Sequence, residues 1–162
     1  MQDTQTPRAL APTIALATAV AGTLDIADAC VYYGLTKGVP PERIFQSVAS
    51  GLLGKASYAG GAGTAALGLA LHYGIMAVMV AVYVLASRRL PILKARPVVT
   101  GLGYGVATYL VMNFVVLPLS RAGGGGHFVA ANFINGVFAH LVLVGLPIAM
   151  ITASREMMTD AA

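Results

Sequence analysis

The sequence predicts an all-α integral membrane four-helix bundle with an amphipathic interfacial helix between the first and second spans. Three observations predict it. The 162 residues are 57% hydrophobic and 10% charged, whereas a soluble domain carries about 25% charged residues. Four apolar stretches, Leu10–Leu35, Thr64–Ala86, Val98–Leu119 and Val129–Ala153, each reach the roughly 20 residues that a bilayer crossing needs. Together they take up more than half the chain, so residues 1–162 read as a single transmembrane domain.

The first span opens after Pro7 and carries Pro12, which a first helical turn tolerates. Arg8, the apolar run behind it and Ala19-Val-Ala21 imitate a signal peptide with a small-residue cleavage site. The apolar character continues past Ala21 through Ile26, Ala29, Val31 and Leu35, so an uncleaved span is expected. It ends near Gly34, before the turn Lys37-Gly-Val-Pro-Pro41.

Residues 41–57 predict the interfacial helix. Pro41 suits a first helical position, and Glu42 lies at the positive end of the helix dipole. Ile44, Phe45, Val48 and Leu52 form an apolar stripe against Ser47, Ser50, Gly54 and Ser57. The segment is too short and too polar to span, so it lies on the surface or dips inward as a lid. Gly60-Gly-Ala-Gly63 breaks the chain before the second span.

In the third span Gly101 and Gly105 have the small-xxx-small spacing of close helix packing, within the chain or in a homodimer. No strand precedes these glycines, so they are not a nucleotide loop, and no Walker motif occurs. Pro118 closes the span. Ser120-Arg-Ala-Gly-Gly-Gly-Gly-His127 is a flexible connection with a solvated His127. In the last span Pro147 predicts a kink.

Positive charge sets orientation. The turn between the second and third spans holds Arg88, Arg89, Lys94 and Arg96 without an acid, which places it and both termini on the cytoplasmic side. The net charge of +4 is therefore a topology signal. Nucleic-acid binding is excluded, because no basic stripe carries interleaved aromatics. The lone Cys30 reads as a buried thiol.

The spans nevertheless contain ionisable groups. Counted from the outer end of each span at about 1.5 Å per residue, Asp25 lies about 15 Å deep, Asp28 about 10 Å, His72 about 12 Å and His140 about 16 Å. Asn113 and Asn135 lie about 9 Å deep and Asn132 about 5 Å. All these groups fall in one leaflet. Asp25, Asp28 and Tyr32 share a helix face. His72, Met76, Met79 and Tyr83 form a stripe, as do Gly105, Tyr109 and Asn113. Asn132, Asn135 and His140 spread over an arc of about 140° at 100° per residue. A charge facing lipid at this depth costs at least about 2.5–3.5 kcal/mol, so the groups should turn inward and pair. Asp25 with His72 is the preferred pair, while the shallower Asp28 reaches water, Lys55 or the amphipathic segment.

These residues predict a polar intramembrane pocket of Asp25, Asp28, His72, Asn113, Asn135 and His140 that faces outward. It would handle protons, ions or a small ligand, since carboxylate–histidine chains in bundles relay protons. The competing reading is a structural or accessory subunit of a larger membrane complex, in which the cluster only fixes helix register. Asp25, His72 and His140 are weak zinc-type ligand candidates, and Met76 and Met79 would suit Cu(I). No HxxxH or CxxC supports a metal, and no cofactor is expected. Catalysis is disfavoured, because no serine or cysteine stands beside the acid and histidine as a nucleophile.

Gly22-Thr-Leu-Asp25, Glu42-Arg-Ile-Phe-Gln-Ser-Val-Ala-Ser-Gly-Leu-Leu-Gly54, Leu67-Gly-Leu-Ala-Leu-His72 and Met112-Asn-Phe-Val-Val-Leu-Pro-Leu119 resemble an uncharacterised group of small bacterial inner-membrane proteins. The second half is similar, more distantly, to the YagU-like membrane family through Pro118 and Phe138-Ala-His140. Both resemblances imply a four-helix bacterial inner-membrane protein, and neither implies a chemistry. The expected partners are the lipid bilayer and a second copy or a larger membrane complex.

Overall fold

The computed structural model describes residues 10–122 and 129–160, the side chains of 156–160 excepted. Arg8, His127 and the glycine run before it lie outside the described residues. Among the described residues the chain is helical throughout its regular structure, with no strand.

Helix α1 spans Leu10–Lys37. Helix α2, Pro41–Leu53, is followed by a 3-10 helix at Gly54–Ala59. Helix α3 covers Gly61–Arg89, and a single turn, α4, covers Ile92–Ala95. Helix α5 runs Pro97–Leu119 and α6 runs Ala130–Arg155, its backbone staying helical to Asp160. Helices α1, α3, α5 and α6 are long and apolar enough to cross a membrane. The chain is a multi-pass membrane protein folded as a four-helix bundle, as its hydropathy predicts.

The ends differ from the hydropathy boundaries by up to three residues, except that the last helix continues seven residues past Ala153, to Asp160. Backbone hydrogen bonding outlasts the apolar run: α3 continues through the exposed Arg88 and Arg89, whose long side chains can leave the bilayer while the helix stays intact. The break before α3 is confined to Gly60 and Gly61. Gly61 takes a positive φ of 55°, and Gly63 is already helical.

The outer faces of the spans carry the lipid-facing side chains, among them Val31, Val78, Val99, Phe114 and Ile134, each at least 60% exposed. The buried core occupies the half of the bundle nearest α4. Ala17, Ala21, Val80, Tyr83, Val84, Val144, Ile148 and Ala149 pack there. Tyr83 Oη donates to the Leu93 carbonyl (3.0 Å) and lies 2.9 Å from Thr100 Oγ1, while Tyr104 Oη donates to the Met79 carbonyl (2.6 Å). These contacts seal that end.

Two backbone features shape α5 and α6. First, α5 and α6 approach at backbone contact. A Cβ on Gly101 would come within 2.9 Å of Ala149 Cβ and the Gly145 carbonyl, and one on Gly105 would overlap the backbone of His140 and Leu141. The small-residue face of α5 is thus covered by α6 of the same chain.

Second, both helices widen. Met112–Val116 and Ala139–Gly145 are π-helical. The Leu117 N–H bonds to the Met112 carbonyl and the Leu146 N–H to the Leu141 carbonyl, each five residues back. A proline follows each wide segment by two residues, Pro118 and Pro147. Proline lacks an N–H, and its ring clashes with the carbonyl four residues earlier. A wider turn just before it reroutes the hydrogen bonds. The span then ends at Leu119, one residue past Pro118, as expected, and Ser120 is extended.

Helix α2 lies across the hollow end. Gly68 of α3 lets the two backbones touch, because a Cβ there would collide with the Phe45 carbonyl. Gln46 Nε2 donates to the Gly61 carbonyl (3.1 Å), and the Arg121 N–H donates to the Gly51 carbonyl (2.8 Å). The second bond ties α2 to the connection leaving α5. Leu52, Leu53 and Tyr58 stay exposed, as an interfacial segment requires.

Candidate functional site

Between the four spans and α2 lies a cavity of about 490 Å³. Asp25, Ala29 and Tyr33 of α1 line it, with His72, Met76 and Met79 of α3. Helix α5 contributes Tyr109, Met112 and Asn113, and α6 contributes Asn132, Phe133 and His140. Ile44, Ser47 and Val48 of α2 form its cover. A groove between the end of α1 and α2 adjoins it. That groove shares Tyr33, Ile44 and Ser47 with the cavity and carries Lys37 and Arg43 at its rim.

Each polar wall group has a fixed orientation. His72 is buried, with Nε2 2.8 Å from the Gly22 carbonyl. A carbonyl only accepts, so Nε2 carries the proton. The other nitrogen, Nδ1, stands 4.0 Å from Asp25 Oδ2. In a neutral His72 that nitrogen is a bare acceptor facing a second acceptor. The pair therefore holds together when it carries one further proton, on the carboxyl or on the imidazole.

His140 follows the same rule with the nitrogens reversed. Nδ1 lies 2.9 Å from the Gly136 carbonyl, one turn earlier on its own helix, so Nδ1 donates and Nε2 is bare in the neutral ring. The ring meets Tyr109 edge to face at 5.4 Å between centroids. Asp25 lies within electrostatic range of both histidines and of Asp28. Asn113 Nδ2 donates to the Tyr109 carbonyl (2.9 Å), which leaves Oδ1 unbonded among the described residues.

Asp28 and Asn135 stand outside this wall. Asn135 Nδ2 donates to Asp28 Oδ2 at 2.8 Å, joining α6 to α1. Beside it Tyr32 Oη donates to Asn132 Oδ1 at 3.2 Å. Asp28 thus finds its partner across the bundle, not at Lys55 or the amphipathic segment. The six pocket residues read from the sequence divide into four that line the cavity (Asp25, His72, Asn113 and His140) and a two-residue clamp.

Aromatic and apolar residues, with one serine, complete the cavity. Tyr33, Tyr109, Phe133 and Met112 supply apolar and aromatic wall, and Ser47 comes from the cover. Tyr109 was legible as a member of the Gly105, Tyr109, Asn113 stripe, whereas nothing in the pattern around Tyr33 points inward. Both π-helical segments reach the cavity, through Met112 and Asn113 in one and His140 and Val144 in the other. Wide turns of this kind recur at functional sites.

Among the described residues no three histidine, cysteine or acidic side chains converge closely enough to hold a metal ion, so Asp25, His72 and His140 do not form such a set. His72 Nε2 and His140 Nδ1 are each committed to a backbone carbonyl. Compared with known proteins, the chain matches no family model, no curated protein and no solved structure.

Proposed function

We propose that this protein binds a small ligand in the cavity between its spans, entered from the α2 end, with Asp25 and His72 as the ionisable pair that meets it. The single observation carrying this reading is the unfilled space beside ionisable groups. A polar network that only fixed helix register would be close-packed and fully hydrogen-bonded, since interiors pack to crystal density. Here Asp25, His72 and His140 instead stand around about 490 Å³. A largely apolar cavity with a few convergent polar groups is the usual form of a small-molecule site.

The test uses Asp25→Asn and His72→Ala. Both variants are expected to insert and keep their helical content while losing at least tenfold in ligand affinity or transport rate. If both retain the response and lose only stability, the cluster is a register device of an accessory subunit and the pocket reading falls.

The compartment belongs to the same proposal. The resemblance to small inner-membrane proteins supports a bacterial inner membrane. The exposed Arg88, Arg89 and Arg96 support a cytoplasmic position for the α3–α5 connection and for both termini. The cavity then opens outward. A fluorescent reporter fused after residue 162 is expected to glow, and a periplasmic phosphatase fused there to stay silent. The opposite pattern would invert the topology.

A further inference from the structure

We infer that the ligand of this cavity is a small organic monocation with an apolar body, such as a protonated or quaternary amine. The inference rests on the binding-cavity reading above and specifies the ligand's charge.

The charge of the cavity wall sets the charge of the ligand. Among the described lining residues Asp25 is the sole carboxylate, and no lysine or arginine is present. The hydrogen bonds already made consume donors. His72 spends Nε2–H on Gly22, His140 spends Nδ1–H on Gly136, and Asn113 spends Nδ2–H on Tyr109. What remains of these side chains is Asp25 Oδ, His72 Nδ1, His140 Nε2, Asn113 Oδ1 and the second Asn113 Nδ2–H, and the lining adds the Tyr33 and Tyr109 hydroxyls and the Asn132 amide, all of them uncharged apart from Asp25. Asp25 Oδ, His72 Nδ1, His140 Nε2 and Asn113 Oδ1 are acceptors when the imidazoles are neutral.

One carboxylate among uncharged polar groups, with no lysine or arginine in the lining, calls for a ligand that brings positive charge. The rest of the lining agrees. Tyr33, Tyr109 and Phe133 offer ring faces, and Met76, Met79 and Met112 offer polarisable sulfurs. At the adjoining rim Lys37 already lies over the Tyr33 ring at 4.8 Å. The volume suits a body of drug-fragment size and exceeds the need of a bare metal ion.

The cation also replaces the proton that the Asp25–His72 pair otherwise holds, so the two compete. The groups facing Asp25 are His72 from α3, His140 and Tyr109 from α6 and α5, and Asp28 and Tyr33 on its own helix; α2 contributes no titratable group to the cavity. Lys37 and Arg43 at the outer groove would favour an anion instead, which makes charge sign the decisive variable.

The experiment compares three near-isosteric probes on the full chain in detergent: benzyltrimethylammonium, its neutral carbon analogue neopentylbenzene, and the anion phenylmethanesulfonate. Ligand-induced thermal stabilisation and titration calorimetry read the binding. The cation is expected to bind at least tenfold tighter than either of the others and to lose that advantage in Asp25→Asn. Selectivity is read on the unaltered protein, so it stands whether or not the variant folds. Equal or tighter binding of the neutral or anionic probe overturns the cation assignment and leaves the cavity reading intact. Absence of binding by all three overturns both.

Discussion

Gly105→Ala is expected to unseat α6 from α5. The added methyl has nowhere to go, because its neighbours would be the His140 carbonyl and the Leu141 Cα, which are backbone and cannot swing aside. Overpacking in a well-filled core costs about 1–3 kcal/mol, and a backbone obstacle places this change at the upper end or beyond. The loss should appear as a lower midpoint in denaturant titration in mild detergent. It should also weaken ligand binding, because the displaced segment carries His140. Gly103→Ala is the control. Nothing lies within 4 Å of a Cβ at that position, and alanine favours a helix over glycine by roughly 0.8–1 kcal/mol. If the two variants behave alike, the close approach of α5 and α6 is not what holds that face together. The same geometry rules out the glycines as a simple probe of dimerisation, since a bulky change there would break the protomer first.

The second large effect belongs to Tyr83. Its side chain is 1% exposed and lies in the core that closes the bundle near α4. Tyr83→Ala removes a buried aromatic ring, for which about 3–5 kcal/mol is typical. Tyr83→Phe removes only the hydroxyl contacts to Leu93 and Thr100. Interhelical hydrogen bonds in membranes average about 0.6 kcal/mol each, so the phenylalanine variant should lose little more than 1 kcal/mol. A denaturation series that ranks the two equally would show that the hydroxyl, not the ring, seals this end.

The sequence made the spans legible because lipid exposure forces long apolar runs, and such runs have few other uses. It also made depth legible, since helix rise converts position into height. Depth puts Asp25 and His72 at similar levels, and the structure sets them 4.0 Å apart. Rotation about each helix axis was less legible. Asp28 is only three residues from Asp25, yet it turns toward Asn135 and leaves the cavity wall. A small difference in angle decides such a pairing, and packing against three neighbours sets that angle. The cover was half legible: the amphipathic pattern of α2 marks an interfacial helix, but Gly68, which seats it, reads in the sequence as one small residue among many. The aromatic wall left no mark, because Tyr33 and Phe133 look the same whether they face lipid, water or a cavity.

The wide turn at Ala139–Gly145 has a consequence for how this chain tolerates insertions and deletions. Below it, buried positions recur by fours: Val144, Ile148 and Thr152 on one row, Gly145, Ala149 and Ala153 on the next. Above it, the step from the buried Ala139 to Val144 takes five. One residue is therefore surplus to an ordinary helix, and it is absorbed in the stretch that holds His140. Removing it would leave a continuous α-helix of sound composition and apolar length. It would also turn every later side chain by about 100° relative to the hollow half. Either His140 or the sealing core would then face lipid. A one-residue gap here is a change of face for half the molecule.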